Sequence, residues 1–230
     1  MPIIPKLRLD KKILSKLFSL DDPDTYEMAL ASYLHWNPFV RYIVAWRMQI
    51  ALRFLGRYEE KKVLDYGCGL GILFLQLTAR EGLLYGTDLN IKPASELLAA
   101  HGRSDISLFP VAELEQIIDD HIFDVIISLE VLEHVDDLPQ TVLLMKNKLK
   151  EEGRLIISGP TENRFYGMLR NIAGFTGEYH HRDIYQIVDE IENLGFRITK
   201  KRIIPLPKPF DVFAIYEFVR VDTNSRQLDR

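Results

Sequence analysis

Residues 63–71 read Val-Leu-Asp-Tyr-Gly-Cys-Gly-Leu-Gly, three alternating glycines just after an acidic residue. Glycine lets a backbone approach a ligand closely and adopt conformations closed to other residues. The register excludes two phosphate-binding patterns. A dinucleotide fingerprint needs G-x-G-x-x-G and a P-loop needs a following Lys-Ser/Thr, whereas Gly71 is followed by Ile72 and Leu73. Asp65, ahead of the glycines, repels a pyrophosphate and favours a ligand with positive charge. Asp88, seventeen residues after Gly71, is spaced to accept hydrogen bonds from two ribose hydroxyls. A nucleoside with an ammonium and a sulfonium and no phosphate meets both demands, which describes S-adenosylmethionine (SAM). Its carboxylate would meet the N-terminus of the helix after the loop. The plainer alternative makes Asp65 and Asp88 strand-end turn residues. Gly67, Cys68, Gly69 and Gly71 line this loop. Leu89, after Asp88, and Leu129, before Glu130, are counted with them on the cofactor side.

Methyl transfer from a sulfonium is an in-line displacement. The protein aligns the reactants, excludes water and, where needed, removes a proton. Residues 128–134 read Ser-Leu-Glu-Val-Leu-Glu-His. If a helical turn starts there, Glu130, Glu133 and His134 share one face; the alternative is acidic residues complementing a helix dipole. His180 and His181 are further proton acceptors, since a neutral imidazole suits a phenol or carboxylic acid at neutral pH. They read equally well as loop residues ahead of a capped helix. Tyr166 and Tyr179 occupy the same stretch as candidates for the acceptor pocket. Cys68 has no predicted base beside it, so it reads as a small residue next to the cofactor and not as a nucleophile.

These residues need a scaffold that brings strand ends together. From Lys61 short apolar runs alternate with helical ones: KKVLDYG, a helix from about Gly71 to Arg80, LLYGTDL, a helix over ASELLAAH, DISLFPV, a short helical segment, FDVIISLE, a helix over PQTVLLMKNKLK, and GRLIISG. That alternation predicts βαβ units and an α/β, doubly wound, mostly parallel sheet. An irregular stretch to His181 follows, then a helix from about Asp183 to Leu194. GFRITKKRIIP and DVFAIYEFVRV, joined by PLPKPF, read as an antiparallel pair closing one edge. Ahead of the sheet, a helix over about Pro38 to Leu55 has apolar residues around most of its circumference and should be covered on more than one side. The expected organisation is an N-terminal helical extension or lid (1–56), a SAM-binding domain (57–220) and a short tail (221–230).

VLDYGCGLG, TDLN and FDVIISLEVLEHVDD resemble the class I SAM-dependent methyltransferases over about Asn37 to Phe218. KKVLDYGCGLGILFLQLTAREG and the later ENR are most similar to the ubiquinone-biosynthesis O-methyltransferases and the methyltransferase type 11 group around them. The resemblance implies a Rossmann-like seven-stranded sheet with its last strand antiparallel, SAM over the glycine loop, and S-adenosylhomocysteine as product. It implies an acidic residue after the third strand for the adenine amine, and Glu113 stands nearer the strand end than Glu115. The Asn37-Pro38 pair with Arg41 also looks like that group and makes Arg41 a partner for the SAM carboxylate. A divalent cation held by Glu130, Glu133 and His134 is the metal alternative it suggests, though similar segments occur in relatives that need no metal, so metal is not favoured.

Composition sets the outer bounds. The 230 residues are 47% hydrophobic and 27% charged with a net charge of −4, which fits one folded domain with an extension and disfavours nucleic acid as a partner. Nucleic-acid methylation is also disfavoured because SLEV stands where an Asn/Asp-Pro-Pro-aromatic tetrad would be expected. One cysteine excludes an internal disulfide and a cysteine metal cluster. The reading is a cytoplasmic enzyme acting on a small, partly hydrophobic acceptor, with oxygen favoured. Its alternatives are a SAM-binding protein without catalysis and methylation of a lipid-like or macromolecular acceptor. Residues 1–20 carry +4 and the remainder −8, a basic amphipathic start that suits either an anionic membrane surface or packing on its own domain. The sequence does not indicate an oligomeric state.

Overall fold

The computed structural model describes residues 7–19, 30–78, 80–173 and 182–221, apart from the side chain of Ile117. The chain forms two compact units, Met1–Ile117 and Ile118–Arg230. Among the described residues seven strands, β1 (Val63–Tyr66), β2 (Leu84–Asp88), β3 (Ile106–Pro110), β4 (Phe123–Leu129), β5 (Leu149–Pro160), β6 (Phe196–Pro205) and β7 (Asp211–Arg220), run in the sheet order β3-β2-β1-β4-β5-β7-β6.

In the first unit, α1 (Lys11–Leu17) is capped by Asp10, whose carboxylate accepts from the Lys12 N–H at 2.8 Å. Leu14 and Phe18 are buried while Lys11, Lys12 and Lys16 face solvent. A short α2 (Leu30–Leu34) precedes α3 (Pro38–Leu55), which has Asn37 as N-cap, Pro38 in its first turn and Gly56 at its end. Ile43, Val44, Arg47, Met48, Ile50, Ala51 and Leu55 are all buried, so α3 is covered around much of its girth, as its apolar pattern predicts.

Strands β1 (Val63–Tyr66), β2 (Leu84–Asp88) and β3 (Ile106–Pro110) pair in parallel, with Asp65 opposite Gly86 and Gly86 opposite Leu108. Between them lie α4 (Ile72–Gln76) and α5 (Lys92–Ala100), and after β3 a 3₁₀ turn (Val111–Glu113) leads into α6 (Leu114–Ile117). Gly86 shows how α4 is seated. A Cβ there would lie 2.9 Å from the Phe74 ring and 2.8 Å from Leu108. Glycine within a strand costs about 0.5–1 kcal/mol, but burying a side chain such as Phe74 returns roughly 1.5–3 kcal/mol. Close packing of α4 on the sheet therefore wins.

The helix expected over residues 71–80 is shorter than its sequence suggests. It ends at Leu77, whose N–H turns back to the Phe74 carbonyl. The guanidinium of Arg103 supplies the reason: it donates to the carbonyls of Phe74 (2.5 Å) and Leu77 (2.8 Å) while gripping Asp105 with two bonds of 2.7 and 2.8 Å. A charged side chain from the β3 side thus satisfies the helix end.

The second unit holds β4 (Phe123–Leu129), a 3₁₀ turn (Leu132–His134), α7 (Leu138–Lys148), β5 (Leu149–Pro160), α8 (Arg164–Ile172), α9 (Ile184–Asn193), β6 (Phe196–Pro205) and β7 (Asp211–Arg220). Strands β4 and β5 are parallel, and β7 runs antiparallel to both β5 and β6. The α/β class, the seven strands and the antiparallel last strand agree with the sequence. β7 is buried continuously from Asp211 to Phe218, as an interior strand should be, whereas β6 exposes most of its middle and forms an edge. The stretch expected to be irregular after Gly159 contains α8, started by Asn163, whose side chain accepts from the Tyr166 N–H at 2.8 Å.

Candidate functional site

The glycine loop hangs from the end of β2. Gly67 and Cys68 donate their N–H groups to the Thr87 carbonyl at 2.8 and 3.0 Å, and Gly69 donates to Asp88 Oδ2 at 2.8 Å. Gly67, Gly69 and Gly71 have φ of 77°, 52° and 72°, a region that favours glycine. At Gly71 a Cβ would come within 3.3 Å of Ala94 Cβ and 3.4 Å of Leu98 Cδ1, so the loop also lets α5 pack closely. Asp88 is consequently both a ligand candidate and the strut of the loop.

The helix after the loop is short, and most N–H groups of the loop itself are already bonded. α4 has five residues, too few turns for a developed dipole. The N–H groups of Gly67, Cys68 and Gly69 are committed to β2, and that of Gly71 to the Cys68 carbonyl at 2.7 Å. What the loop offers a ligand is room and the neighbouring carboxylates.

Those carboxylates are electrostatically tense. Asp65 is only 4% exposed, and burial, with the nearby charge of Asp88 second, pushes its carboxyl up to about 8. Burial, with the charges of Asp65 and Asp88, drives the Cys68 thiol well above its ordinary value, so this cysteine is no nucleophile at neutral pH. Leu89, 87% exposed, follows Asp88. Glu113 is exposed in the 3₁₀ turn after β3, where the family resemblance leads one to expect an acidic residue for the adenine amine. Arg41, in the first turn of α3, donates from one nitrogen, Nη1, to the carbonyls of His35 and Trp36. All these residues belong to the first unit.

The second unit carries the acceptor-side candidates. Leu129 ends β4, and Glu130 follows in a left-handed conformation, φ 59°. Such a backbone is costly for a non-glycine residue and tends to mark functional turns. It is held from β5: the Glu130 N–H donates to the Ser158 carbonyl at 3.1 Å and Ser158 Oγ donates to Glu130 Oε1 at 3.0 Å. This conformation breaks the helical turn that would gather Glu130, Glu133 and His134. Glu133 is fully buried and His134 is exposed, so the three do not share a face. Among the described residues no group of three His, Cys, Asp or Glu is placed to hold a metal ion.

Tyr166, on α8, is gathered with Glu130. Burial first, then the charges of Glu130 and Glu162, raises its phenol above the ordinary value, with Arg170 opposing them and Glu133 adding a smaller push in the same direction. Glu162 opens the ENR triplet that carries part of the resemblance, whereas nothing in the type or spacing of Arg170 singles it out. Asn163 fixes this stretch. Its Nδ2 donates to Thr161 Oγ1, the Asp211 carbonyl and Asp211 Oδ1 at 2.8–3.0 Å, and Tyr185 donates to Asp211 Oδ2 at 2.6 Å. The Asn in ENR was the visible signal for that cluster. Arg182 donates to the carbonyls of Val135 and Asp136 at 2.7 and 3.1 Å, tying the start of α9 to the turn after β4. Asp183 and Gln186 form a capping box at α9. Tyr179, His180 and His181 lie outside the described residues.

A family profile described as a methyltransferase domain matches residues 34–201. Among curated proteins, the ubiquinone biosynthesis O-methyltransferase of Glaesserella parasuis serovar 5 is 33% identical over 108 residues, 43% of this chain and 44% of that protein. The protein of the same name from Rickettsia akari is 28% identical over 155 residues, 65% of this chain and 60% of that protein. The chain thus spans about half the length of the curated relatives it matches. In fold it is similar to the magnesium protoporphyrin IX methyltransferase of Synechocystis PCC 6803, solved with bound SAH, at a TM-score of 0.59 and 21% identity, covering 92% of this chain and 100% of that one. With the profile running across the glycine loop, both strand-end carboxylates and the turn after β4, the chain belongs to the methyltransferase domain family.

Proposed function

We propose that this chain is a SAM-dependent methyltransferase acting on a small, partly apolar acceptor, with oxygen the favoured atom. The observation that carries the reading is the glycine loop strutted on Asp88 through the 2.8 Å Gly69 bond, with buried Asp65 beside it. Two crowded carboxylates disfavour a phosphate and suit a cationic nucleoside. The residues present therefore fit SAM, which when bound supplies an electrophilic methyl group on sulfur.

In this reading Asp88 receives the ribose hydroxyls, and Leu89 offers the adenine an apolar face. Glu113 receives the adenine amine, Arg41 meets the carboxylate, and the glycine loop gives the cofactor room. On the acceptor side Tyr166 stays protonated at neutral pH and serves as a hydrogen-bond donor. Proton removal falls to His134, exposed after β4, or to His180 and His181. Positioning supplies most of the rate in such a displacement. The similarity to O-methyltransferases of ubiquinone biosynthesis supports oxygen as the atom and a partly apolar acceptor.

Titration calorimetry with SAM tests the assignment. Asp88 both struts the loop and receives the ribose, so Asp88→Ala should weaken binding by at least about tenfold, the cost of one charge-assisted hydrogen bond. Equal affinity in the variant and the parent overturns it.

A further inference from the structure

Parallel pairing sets Asp65 opposite Gly86, two residues before Asp88 on the adjoining strand, so β1 and β2 bring both carboxylates to one end of the sheet. Asp88 is anchored there by the Gly69 N–H at 2.8 Å, and Asp65 is 4% exposed. Among the described residues, opposite charge from the surrounding elements does not relieve the pair. α4 (ILFLQ) and β3 (ISLFP) contain no ionisable residue. On α5, Lys92 lies 3.9 Å from Glu96, and on α3, Arg41 donates to the His35 and Trp36 carbonyls. The loop contributes the Cys68 thiol, which is neutral. Among the described residues, the one charge that acts on Asp65 is that of Asp88, and it repels.

Resting on the proposed SAM site, we infer that Asp65 is protonated in the ligand-free protein and yields its proton to solvent when the cofactor's cationic amino-acid end binds beside it. The step balances as a neutral carboxylic acid and a cationic ligand going to a carboxylate paired with that cation and one proton released to the buffer. Two ionised carboxylates cannot share a buried site cheaply, whereas a carboxylate facing a cation can. The raised Asp65 carboxyl, at about 8, sets the range. Below that pH, affinity climbs with pH by up to about tenfold per unit, because each binding event must displace a proton. Asp65 thereby makes cofactor capture sensitive to pH across the neutral range.

Calorimetry with S-adenosylhomocysteine at pH 7, in two buffers of different ionisation enthalpy, reads the proton directly. This ligand keeps the ammonium and undergoes no reaction. The expected result is release of most of one proton in the parent and loss of that release in Asp65→Asn, which keeps the side chain's shape and mimics its neutral form. The slope of affinity against pH from 6 to 8 should be steeper in the parent than in Asp65→Asn, the difference removing any titration of the ligand itself. Binding with equal heat in both buffers overturns the inference while leaving the SAM site intact. No binding of either nucleoside overturns both. If Asp65→Asn does not fold, the two-buffer measurement on the parent decides alone.

Discussion

At the scale of single residues, the proposed cofactor site rests on carboxylates placed where they are uncomfortable. Asp65 gives this a thermodynamic signature that needs no ligand. Its carboxyl is raised from 3.8 to about 8 in the folded state, so between those values the folded chain holds a proton that the unfolded chain has released. Stability then falls as pH rises from about 4 to about 8, since the unfolded state binds fewer protons across that window. Asp65→Asn removes the term. Denaturant unfolding of the cofactor-free protein should find the variant more stable than the parent at pH 8 and the gap closing toward pH 4. A gap independent of pH over that window would show that Asp65 is already ionised in the fold. Asp65, Asp88 and the glycines were legible in the sequence because residue type and spacing alone define them. Glu130 was legible as a residue but not in its conformation. A left-handed φ at a non-glycine has no mark in sequence, and the Ser158 bonds that hold it come from 28 residues away.

At the scale of elements, the site depends on how tightly short pieces are clamped. Gly71 joins loop and helix at φ 72°, with Ala94 and Leu98 of α5 within 3.4 Å of any added Cβ. In Gly71→Ala the left-handed backbone costs about 1–2 kcal/mol, and α5 must yield as well. Urea unfolding should lose at least that amount, and SAM affinity should fall with it because the loop shifts on its Asp88 strut. Unchanged unfolding would show that α5 gives way freely and that Gly71 serves only backbone approach. The strands and α9 were readable from apolar runs and from the Asp183 cap, since both signals are local. The end of α4 was not, because Arg103, 26 residues beyond Leu77, sets it. Nor was α8. In RFYGMLRNI the apolar residues Phe165, Met168, Leu169 and Ile172 do stand at helical spacing, but Gly167 among them lowers the helical propensity and weakens that signal.

At the scale of the whole molecule, charge is segregated, +4 in residues 1–20 against −8 in the rest, and the question is whether that start engages lipid. A surface helix binds a bilayer by sinking an apolar face, with basic residues adding attraction to anionic headgroups. The described part of this stretch has already used its apolar face. Leu14 is fully buried and Phe18 is 8% exposed, which leaves Leu17 as the exposed large apolar side chain of α1. What remains for a membrane is Arg8, Lys11, Lys12 and Lys16, all exposed, against Asp10. At about 1 kcal/mol per basic residue near an anionic surface, four of them reach roughly 4 kcal/mol, a millimolar affinity. That attraction disappears as the screening length shrinks from about 8 Å at physiological salt to about 3 Å at 1 M. Sedimentation with phosphatidylserine-containing vesicles should accordingly retain little of the protein at physiological salt and none at about 1 M salt. Retention that survives high salt would mean that an apolar face engages the bilayer, and burial of Leu14 and Phe18 would then describe only the lipid-free state.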